Sequence, residues 1–382
     1  MIRPAGQAIV AITLIMGAVE RNSKGKTMNA IERRSKHVVS LQSQPPRFQG
    51  PKGSITHMDA GDLPIMKRLS LRHLSLAFQG VREPHWHANA HELGYCIQGE
   101  ALITIAGNHS KRDSFVVSAG EMFFVPSGAM HSIQNIGSGS AEFVLAFSHE
   151  RPEDFGIKAA FGVMSNAVLG NAYDLPAAAF DAFDHSDAGS AIISVNGKDG
   201  IEEQARHINP YKYSVEATPP QIDSSAGSAH TTKAALWPAL RDIAMFSVRI
   251  TDRGMREPHW HPETAEMGYV LSGQARMTIL DPDGSSDTYV IGPGDAYFIP
   301  AAYPHHIENI GSGTFHVLIF FDRTEPGDVG YRSLINIYPR HLLAAAFGVS
   351  EDNLPDFPFT ENDPLLVPRT NPIDPVSPTP GL

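Results

Sequence analysis

The stretch REPHWHANAHELGY occupies residues 82–95, and REPHWHPETAEMGY follows at residues 256–269 of the same chain. Each copy combines two histidines with a glutamate, and equivalent positions differ by 174 in residue number. The offset continues beyond the quoted stretches without insertion or deletion, which indicates an internal duplication. The pairs that keep it are Arg82 and Arg256, His85 and His259, His87 and His261, Glu92 and Glu266, Gly99 and Gly273, Gly120 and Gly294, Pro126 and Pro300, His131 and His305, and Asn135 and Asn309.

The segments between these residues have the pattern of an all-β protein. Short runs rich in β-branched and aromatic residues, such as ALITIAG and MFFVPSG in the first copy and ARMTIL and AYFIPAA in the second, are separated by Gly, Pro, Asn and Asp. This spacing is typical of an antiparallel sandwich or barrel. Helix is expected in few places, among them PRHLLAAAFGV near the end of the second copy.

The duplication divides the chain into segments. We predict a first barrel over residues 46–195 and a second barrel over residues 196–350, preceded by a disordered leader at residues 1–45. Residues 351–382 contain too many prolines for a helix or an inner strand, so an extended tail is expected there. Such a tail suits contact with a neighbouring subunit, and we predict a homo-oligomer.

The leader raises the question of export. AIVAITLIMGAV at residues 8–19 resembles the apolar core of a signal peptide, but it is too short to span a bilayer as a helix. Met28 offers a second start from which an ordinary cytoplasmic protein would begin. We predict a cytoplasmic location, with export as the alternative if residues 1–27 are a genuine signal peptide.

Composition narrows the class of ligand. The 382 residues include 30 Lys and Arg against 41 Asp and Glu, a formal charge of -11, and no basic run is dense enough to follow a phosphate backbone. Nucleic acid and membranes are therefore not expected as partners, and a small molecule is. Cys96 is the single cysteine, so an internal disulfide is excluded and the fold depends on packing and metal.

The spacing of the histidines indicates a metal site. Residues two apart on a strand point to the same face, so His85 and His87 present both imidazoles on one side and Trp86 on the other. Glu92 follows after a turn, and His131 lies on a distant strand that a barrel would bring alongside. Three imidazoles and one carboxylate suit a divalent transition metal and leave coordination positions for water or substrate.

The motifs resemble those of a known family. HWHANAHE with GEMFFVPSGAMH, and HWHPETAE with GDAYFIPAAYPH, match the two motifs of the cupin superfamily, and the pair resembles the bicupins of the oxalate decarboxylase family over roughly residues 70–150 and 240–325. The resemblance implies two jelly-roll barrels, one Mn²⁺ in each, dioxygen as co-catalyst, and conversion of oxalate to formate and carbon dioxide. It assigns as metal ligands His85, His87, Glu92 and His131 in the first barrel, and His259, His261, Glu266 and His305 in the second.

Arg82 and Arg256 lie three residues before the first ligand of each copy. The resemblance implies that this arginine holds the substrate's other carboxylate, which a guanidinium matches in shape and charge. The alternative is a structural ion pair with the adjacent acid, Glu83 or Glu257, and these two acids are expected at the surface or behind the site.

The sequence departs from the family where the proton donor is expected, because no Ser-Glu-Asn-Ser-Thr pentapeptide follows the first barrel. Both post-barrel segments contain AAFGV, but Phe161 and Phe347 differ by 186 in residue number, so the second segment is predicted to be 12 residues longer. We therefore predict that the second barrel is the principal active site, with Glu325 as the acid of its lid. The candidate acids are Glu150, Glu153, Asp154, Glu325 and Asp328, and in the competing view Glu153 or Asp154 serves an active first barrel.

Two classes of function follow. One is a manganese-dependent oxalate decarboxylase, with an oxalate oxidase, if no competent acid is present, or another metal-dependent cupin enzyme as alternatives. The other is a non-catalytic bicupin that binds metal or a small acid. Both ligand sets are complete, which favours the enzyme.

Overall fold

The computed structural model describes residues 35–108, 111–185, 191–195 and 203–373. The apolar leader stretch and Met28 lie outside the described residues.

Each repeat folds into a barrel of antiparallel strands, which confirms the predicted all-β class with two tandem jelly-roll barrels and a few short helices. The first repeat contains β1 (Val38–Ser40), β2 (Phe48–Gly50), β3 (Gly53–Met58), β4 (Ser70–Leu76), β5 (Gly80–His87), β6 (Glu92–Gln98), β7 (Glu100–Ala106), β8 (Arg112–Ser118), β9 (Met122–Val125), β10 (Met130–Asn135), β11 (Ala141–Phe147), β12 (Asp154–Gly156), α1 (Ile157–Gly162), α2 (Asn166–Tyr173) and β13 (Ile192–Ser194). The second contains β14 (Lys212–Tyr213), β15 (Ile222–Ser224), β16 (Gly227–Thr232), β17 (Ala244–Ile250), β18 (Gly254–Trp260), β19 (Glu266–Ser272), β20 (Ala275–Leu280), β21 (Ser286–Ile291), β22 (Asp295–Ile299), β23 (His305–Asn309), β24 (Phe315–Phe321), β25 (Val329–Gly330), α3 (Tyr331–Leu334), α4 (Arg340–Phe347) and β26 (Leu366–Pro368).

Two sheets enclose each barrel. In the first barrel the strand orders are β14-β9-β6-β11-β4-β3-β2 and β12-β5-β10-β7-β8, and in the second they are β1-β22-β19-β24-β17-β16-β15 and β21-β20-β23-β18-β25. β13 and β26 pair with β5 and β18 respectively. Each barrel has its own apolar core, and a third core lies between the barrels.

The strand β6 shows how one sheet serves two cores. Alternate residues of a strand face opposite sides, so Glu92 and Cys96 face the barrel interior while Leu93 and Tyr95 join the core between the barrels. Leu93 is fully buried against side chains of both repeats, and burying a leucine of this kind stabilises a fold by about 1.5–3 kcal/mol. This double burial holds Glu92 at a fixed depth inside the barrel.

The two repeats exchange short strands. β1 begins the first repeat but pairs with β22 of the second, with Val38 opposite Tyr297, and β14 begins the second repeat but pairs with β9 of the first, with Lys212 opposite Phe123. The imidazole of His37 is fully buried and its Nδ1 contacts the Phe298 carbonyl oxygen at 2.9 Å. Residues 38–40 of the predicted leader and residues 366–368 of the predicted tail therefore form strands of the second barrel's sheets, and the boundaries at residues 46 and 350 leave them out.

The segments that follow the barrels have equal lengths. Residues 157–191 and 331–365, 35 residues each, connect strands in the same register, because Ile192 pairs with Arg82 and Leu366 pairs with Arg256. The prediction that the second segment is 12 residues longer is therefore wrong. The prediction failed because AAFGV occupies non-equivalent positions in the two repeats. Phe161 lies in α1, whereas Phe347 ends α4, the counterpart of α2.

Candidate metal centres

Each barrel interior contains a buried group of three histidines and one glutamate. Within each group the ligand atoms lie within 4.8 Å of one another. The structure brings together all eight residues that the sequence predicts as ligands: His85, His87, Glu92 and His131, and His259, His261, Glu266 and His305.

Strand pairing explains why these residues converge. His85 and His87 are two apart on β5 and face the interior, while the Trp86 ring between them stacks outside on Phe155. His131 on β10 lies directly opposite His85. Glu92, the first residue of β6, brings its carboxylate from the facing sheet.

An irregularity in the same strand pair positions the arginines. Between β5 and β10 the register shifts, so that His131 is opposite His85 but Ile133 is opposite Arg82. An extra residue in one strand turns the following side chain to the other face, and the bulge thus places Arg82 on the face of His85. The same register shift between β18 and β23 places Arg256 on the face of His259.

In the first barrel, hydrogen bonds fix the orientation of the three ligand imidazoles. The Nδ1 atoms of His85 and His131 contact the carbonyl oxygen two residues earlier, at 2.7 and 3.1 Å, and Nδ1 of His87 contacts Oδ1 of Asp154 at 2.7 Å. A carbonyl oxygen only accepts, so in His85 and His131 the Nδ1 atom carries the proton and Nε2 keeps its lone pair. The Nε2 atoms of His87 and His131 then lie 2.8 and 3.2 Å from Oε2 of Glu92.

The second barrel repeats this arrangement. Nδ1 of His259 and of His305 contacts the carbonyl oxygen two residues earlier, at 2.7 and 2.9 Å. Nδ1 of His261 lies 2.7 Å from Oδ1 of Asp328. Such contacts to the outer ring nitrogen are the usual support of metal-binding histidines.

Two observations show that these residues fit a divalent transition metal. Oε1 of Glu92 and Nε2 of His259 are buried without a hydrogen-bond partner among the described residues, a costly state that a bound cation would relieve. Burial, reinforced by the neighbouring arginine, holds the pKa of His85 and of His259 well below its ordinary value, so both rings are neutral ligands. Three nitrogens and one oxygen suit manganese and its neighbours.

Each arginine is paired with an aspartate that also contacts a ligand. The Arg82 guanidinium lies 2.9 Å from Asp154, and the Arg256 guanidinium lies 3.0 Å from Asp328. Both arginines thus pair with an aspartate, and not with the adjacent Glu83 or Glu257 as the alternative interpretation expected. Asp154 and Asp328 keep the offset of 174, which is the sequence signal that could have separated them from the other candidate acids.

The adjacent glutamates lie in the interior rather than at the surface. The side chains of Glu83 and Glu257 are buried, and burial raises the pKa of both carboxyl groups.

The other candidate acids make contacts elsewhere. Oε1 of Glu325 accepts a hydrogen bond from the Ala235 amide at 2.8 Å, and its residue is exposed. Oε2 of Glu150 accepts from the Arg68 amide at 2.8 Å, and Glu153 is exposed. The role of Glu325 as a lid acid stays a prediction.

The sequence matches the cupin family over residues 39–179 and 213–354. It is 30% identical over 310 residues to oxalate decarboxylase of Bacillus subtilis strain 168, covering 76% of this chain and 77% of that protein. The chain is a bicupin of the oxalate decarboxylase family. A solved structure of Bacillus subtilis oxalate decarboxylase, studied for its Mn(II) centres, superposes with a TM-score of 0.75 at 26% identity, covering 87% of this chain and 89% of that one. An oxalate oxidase of Triticum aestivum is 36% identical over 108 residues, 27% of this chain and 48% of that protein.

Among the described residues of this bicupin, none of the helices has the length and apolar character that crossing a membrane requires.

The two centres of this bicupin differ at the free oxygen of the glutamate. In the second barrel the Tyr297 hydroxyl donates to Oε1 of Glu266 at 2.7 Å. The equivalent residue of the first barrel is Phe123, which leaves Oε1 of Glu92 without a donor. The first carboxylate is therefore able to use both oxygens toward a metal, whereas the second has one oxygen fixed by the tyrosine.

We expect Tyr297→Phe to weaken manganese binding in the second barrel by about 10-fold, because outer hydrogen bonds to a ligand typically contribute that much to metal affinity. Competition titration with a chelator, which resolves the two sites, measures the effect. The reciprocal variant Phe123→Tyr serves as the control and should alter the first site alone. An unchanged second-site affinity would contradict the proposed support of Glu266.

Metal uptake should also release protons. Burial opposes a charge on His261, but hydrogen bonds to Asp328 and Glu266 outweigh it and raise its pKa to about 9. At pH 7 the metal-free ring is therefore protonated, and manganese must displace that proton. We expect second-site affinity to fall about 10-fold per pH unit below about pH 9, with release of about one proton at pH 7 seen by an indicator dye in weak buffer. Uptake without proton release at pH 7 would contradict this.

Proposed function

We propose that this bicupin is a manganese-dependent oxalate decarboxylase, which converts oxalate to formate and carbon dioxide with dioxygen as co-catalyst. The observation that carries the proposal is the buried guanidinium beside each complete ligand set, Arg82 in one barrel and Arg256 in the other. A dicarboxylate of oxalate's size is able to bind the metal through one carboxylate and an arginine through the other. The curated and solved relatives named above support the same substrate.

The chain's own residues would position and protonate the substrate. Arg82 is buried and never loses its charge at working pH, so it would neutralise the substrate carboxylate that the metal does not hold. Bound manganese would supply a Lewis acid and one-electron chemistry with dioxygen. Overall, the carbon–carbon bond breaks, carbon dioxide leaves, and the remaining carbon gains a proton to give formate, without net oxidation.

Asp154 is the acid that the structure places beside the first centre. Its carboxylate accepts from His87, Arg72 and Arg82 at once, and these contacts, against the cost of burial, hold its pKa well below the ordinary value. In this arrangement it is an anion that orients its three partners rather than a proton donor. Proton delivery at the first centre thus requires another group, whereas Glu325 remains the acid predicted from the sequence for the second barrel.

An oxalate oxidase is the second candidate function. It is favoured by the lack of the Ser-Glu-Asn-Ser-Thr segment, since an intermediate that is not protonated is oxidised further and gives peroxide. The test is to load the protein with manganese, add oxalate at mildly acidic pH under air, and quantify formate, carbon dioxide and peroxide. Formate equal to oxalate consumed supports the decarboxylase, peroxide supports the oxidase, and no turnover by the loaded protein overturns both.

We also propose that the protein is a cytoplasmic homo-oligomer. Both post-barrel segments expose large apolar side chains, including Val163, Val168, Ile337 and Phe347, with exposed fractions from 52% to 70%. Apolar patches of this kind mark interaction surfaces. A monomeric mass by light scattering after gel filtration would overturn the oligomer.

A further inference from the structure

A cavity of about 410 Å³ in the first repeat contains none of the metal ligands, but Arg72 in its lining donates to Asp154, which contacts the ligand His87. It is lined by cationic and polar side chains from the end of β3, the start of β4 and the segment after β11. The residues that matter for its chemistry are Arg47, His57, Asp59, Arg72 and Arg151.

Arg72 lines the cavity and has one donor without a partner among the described residues. Its side chain is nine-tenths buried, and its two terminal nitrogens donate to Asp154 at 2.6 and 3.0 Å. Its Nε–H is buried and has no hydrogen-bond partner among the described residues. Leaving such a donor unpaired is costly, and an acceptor in the cavity would remove that cost.

The charges of the other lining residues favour an anion as that acceptor. Arg47 is held by Asp59 at 3.2 Å and Asp62 at 3.0 Å, but the Arg151 guanidinium forms no ion pair within the described part of the chain. His57 lies opposite Arg72 on the neighbouring strand. Burial and the nearby arginines lower the pKa of His57 to about 3, so its ring is neutral and adds a polar contact without a charge.

The second repeat shows that the fold does not require these arginines. At the offset of 174, Arg47, Arg72 and Arg151 correspond to Gln221, Phe246 and Glu325. Phe246 packs on Phe321 in the second barrel, whereas Arg72 lies over the equivalent Phe147 at 4.5 Å. The same scaffold thus carries three arginines in one barrel and none at these positions in the other.

We propose that this cavity binds a small carboxylate anion through Arg47, Arg72 and Arg151. The guanidinium of Arg72 would then connect the bound anion to Asp154, and Asp154 connects to the ligand His87. The proposal of an anion site does not depend on the proposed function, whereas the identity of the anion as oxalate or formate rests on it.

Equilibrium dialysis tests the site in the manganese-loaded protein, with [14C]formate in one arm and [14C]oxalate without dioxygen in the other. The test variant is Arg47→Gln with Arg151→Gln, which leaves Arg72 and the metal ligands unchanged. The control variant is Arg112→Gln with Arg253→Gln, which removes the same charge from exposed positions elsewhere.

Wild type and control are expected to bind one more carboxylate per chain than the test variant, or to bind it at least about 10-fold more tightly, since hydrogen bonds to charged groups contribute that much to affinity. Loss in both arms indicates a general carboxylate site, and loss in the oxalate arm alone a dicarboxylate site. Equal binding by test and control variants overturns the proposal, as does complete displacement by chloride at equal ionic strength. Turnover of oxalate with no extra equivalent would overturn this site and leave the proposed function standing, whereas an extra equivalent without turnover would do the reverse.

Discussion

Replacing His87 with alanine is expected to remove one of two manganese equivalents per chain, and replacing His261 should remove the other. Each histidine contributes an Nε2 atom to its own centre, and the two centres lie in separate barrel cores. Distant sites without shared partners behave independently, so each variant should keep the other site loaded. Elemental analysis after growth with added manganese gives the count.

His306→Ala is the matched control for these variants. His306 follows the ligand His305 directly, but it lies outside the ligand group and breaks the offset between the repeats. It should retain both equivalents. A wild-type protein that holds one equivalent or fewer, or a His87 variant that loses both, would contradict the assignment of two independent centres.

The ligands could be predicted because a local pattern and a family resemblance agree on them. Alternation along a strand places His85 and His87 on one face, and the resemblance to the cupin motifs assigns Glu92 and His131 by position. The bulge that turns Arg82 toward them was beyond prediction, since it depends on pairing with β10.

Other features depend on contacts that no local pattern records. The exchanged strand β14 has two residues, too few to show a period, and its partner β9 belongs to the other repeat. AAFGV misled the comparison of the lids because a five-residue match says nothing about strand register. Asp154 resembled a solvated loop charge until the fold placed Arg72 and Arg82 beside it.

The segments that follow the two barrels have equal lengths, and this removes the reason for expecting the second barrel to be the active one. The second barrel was preferred for its longer segment, and that argument no longer holds. What distinguishes the barrels is chemical: Arg72 stands in the first where Phe246 stands in the second, and Phe123 leaves Oε1 of Glu92 available. The additional cation of Arg72 favours binding of a dianion at the first centre, which we therefore expect to do most of the chemistry.

Arg82→Lys should lower kcat/KM for oxalate by about 100-fold or more, while Arg256→Lys should change it by less than about 3-fold. Lysine keeps the charge but loses the planar fork that matches a carboxylate, and loss of a well-placed donor to a reacting group typically costs 100-fold to 1000-fold in rate. Steady-state formate production measures the effect, with metal content confirmed at two equivalents in each variant. A steep fall of kcat/KM in the Arg256 variant alone would show that the second barrel is the active one.

Glu325→Gln completes the comparison because it tests the acid together with the barrel. The Glu325 side chain contacts the Ala235 amide at 2.8 Å, and glutamine keeps an acceptor oxygen for that contact. If the first barrel is active, formate production by this variant should stay within about 2-fold of wild type, since an exposed substitution of similar shape disturbs little. If formate instead stops while peroxide rises, Glu325 is the proton donor, because an intermediate that is not protonated is diverted to oxidation. That outcome would place the chemistry in the second barrel even with lids of equal length.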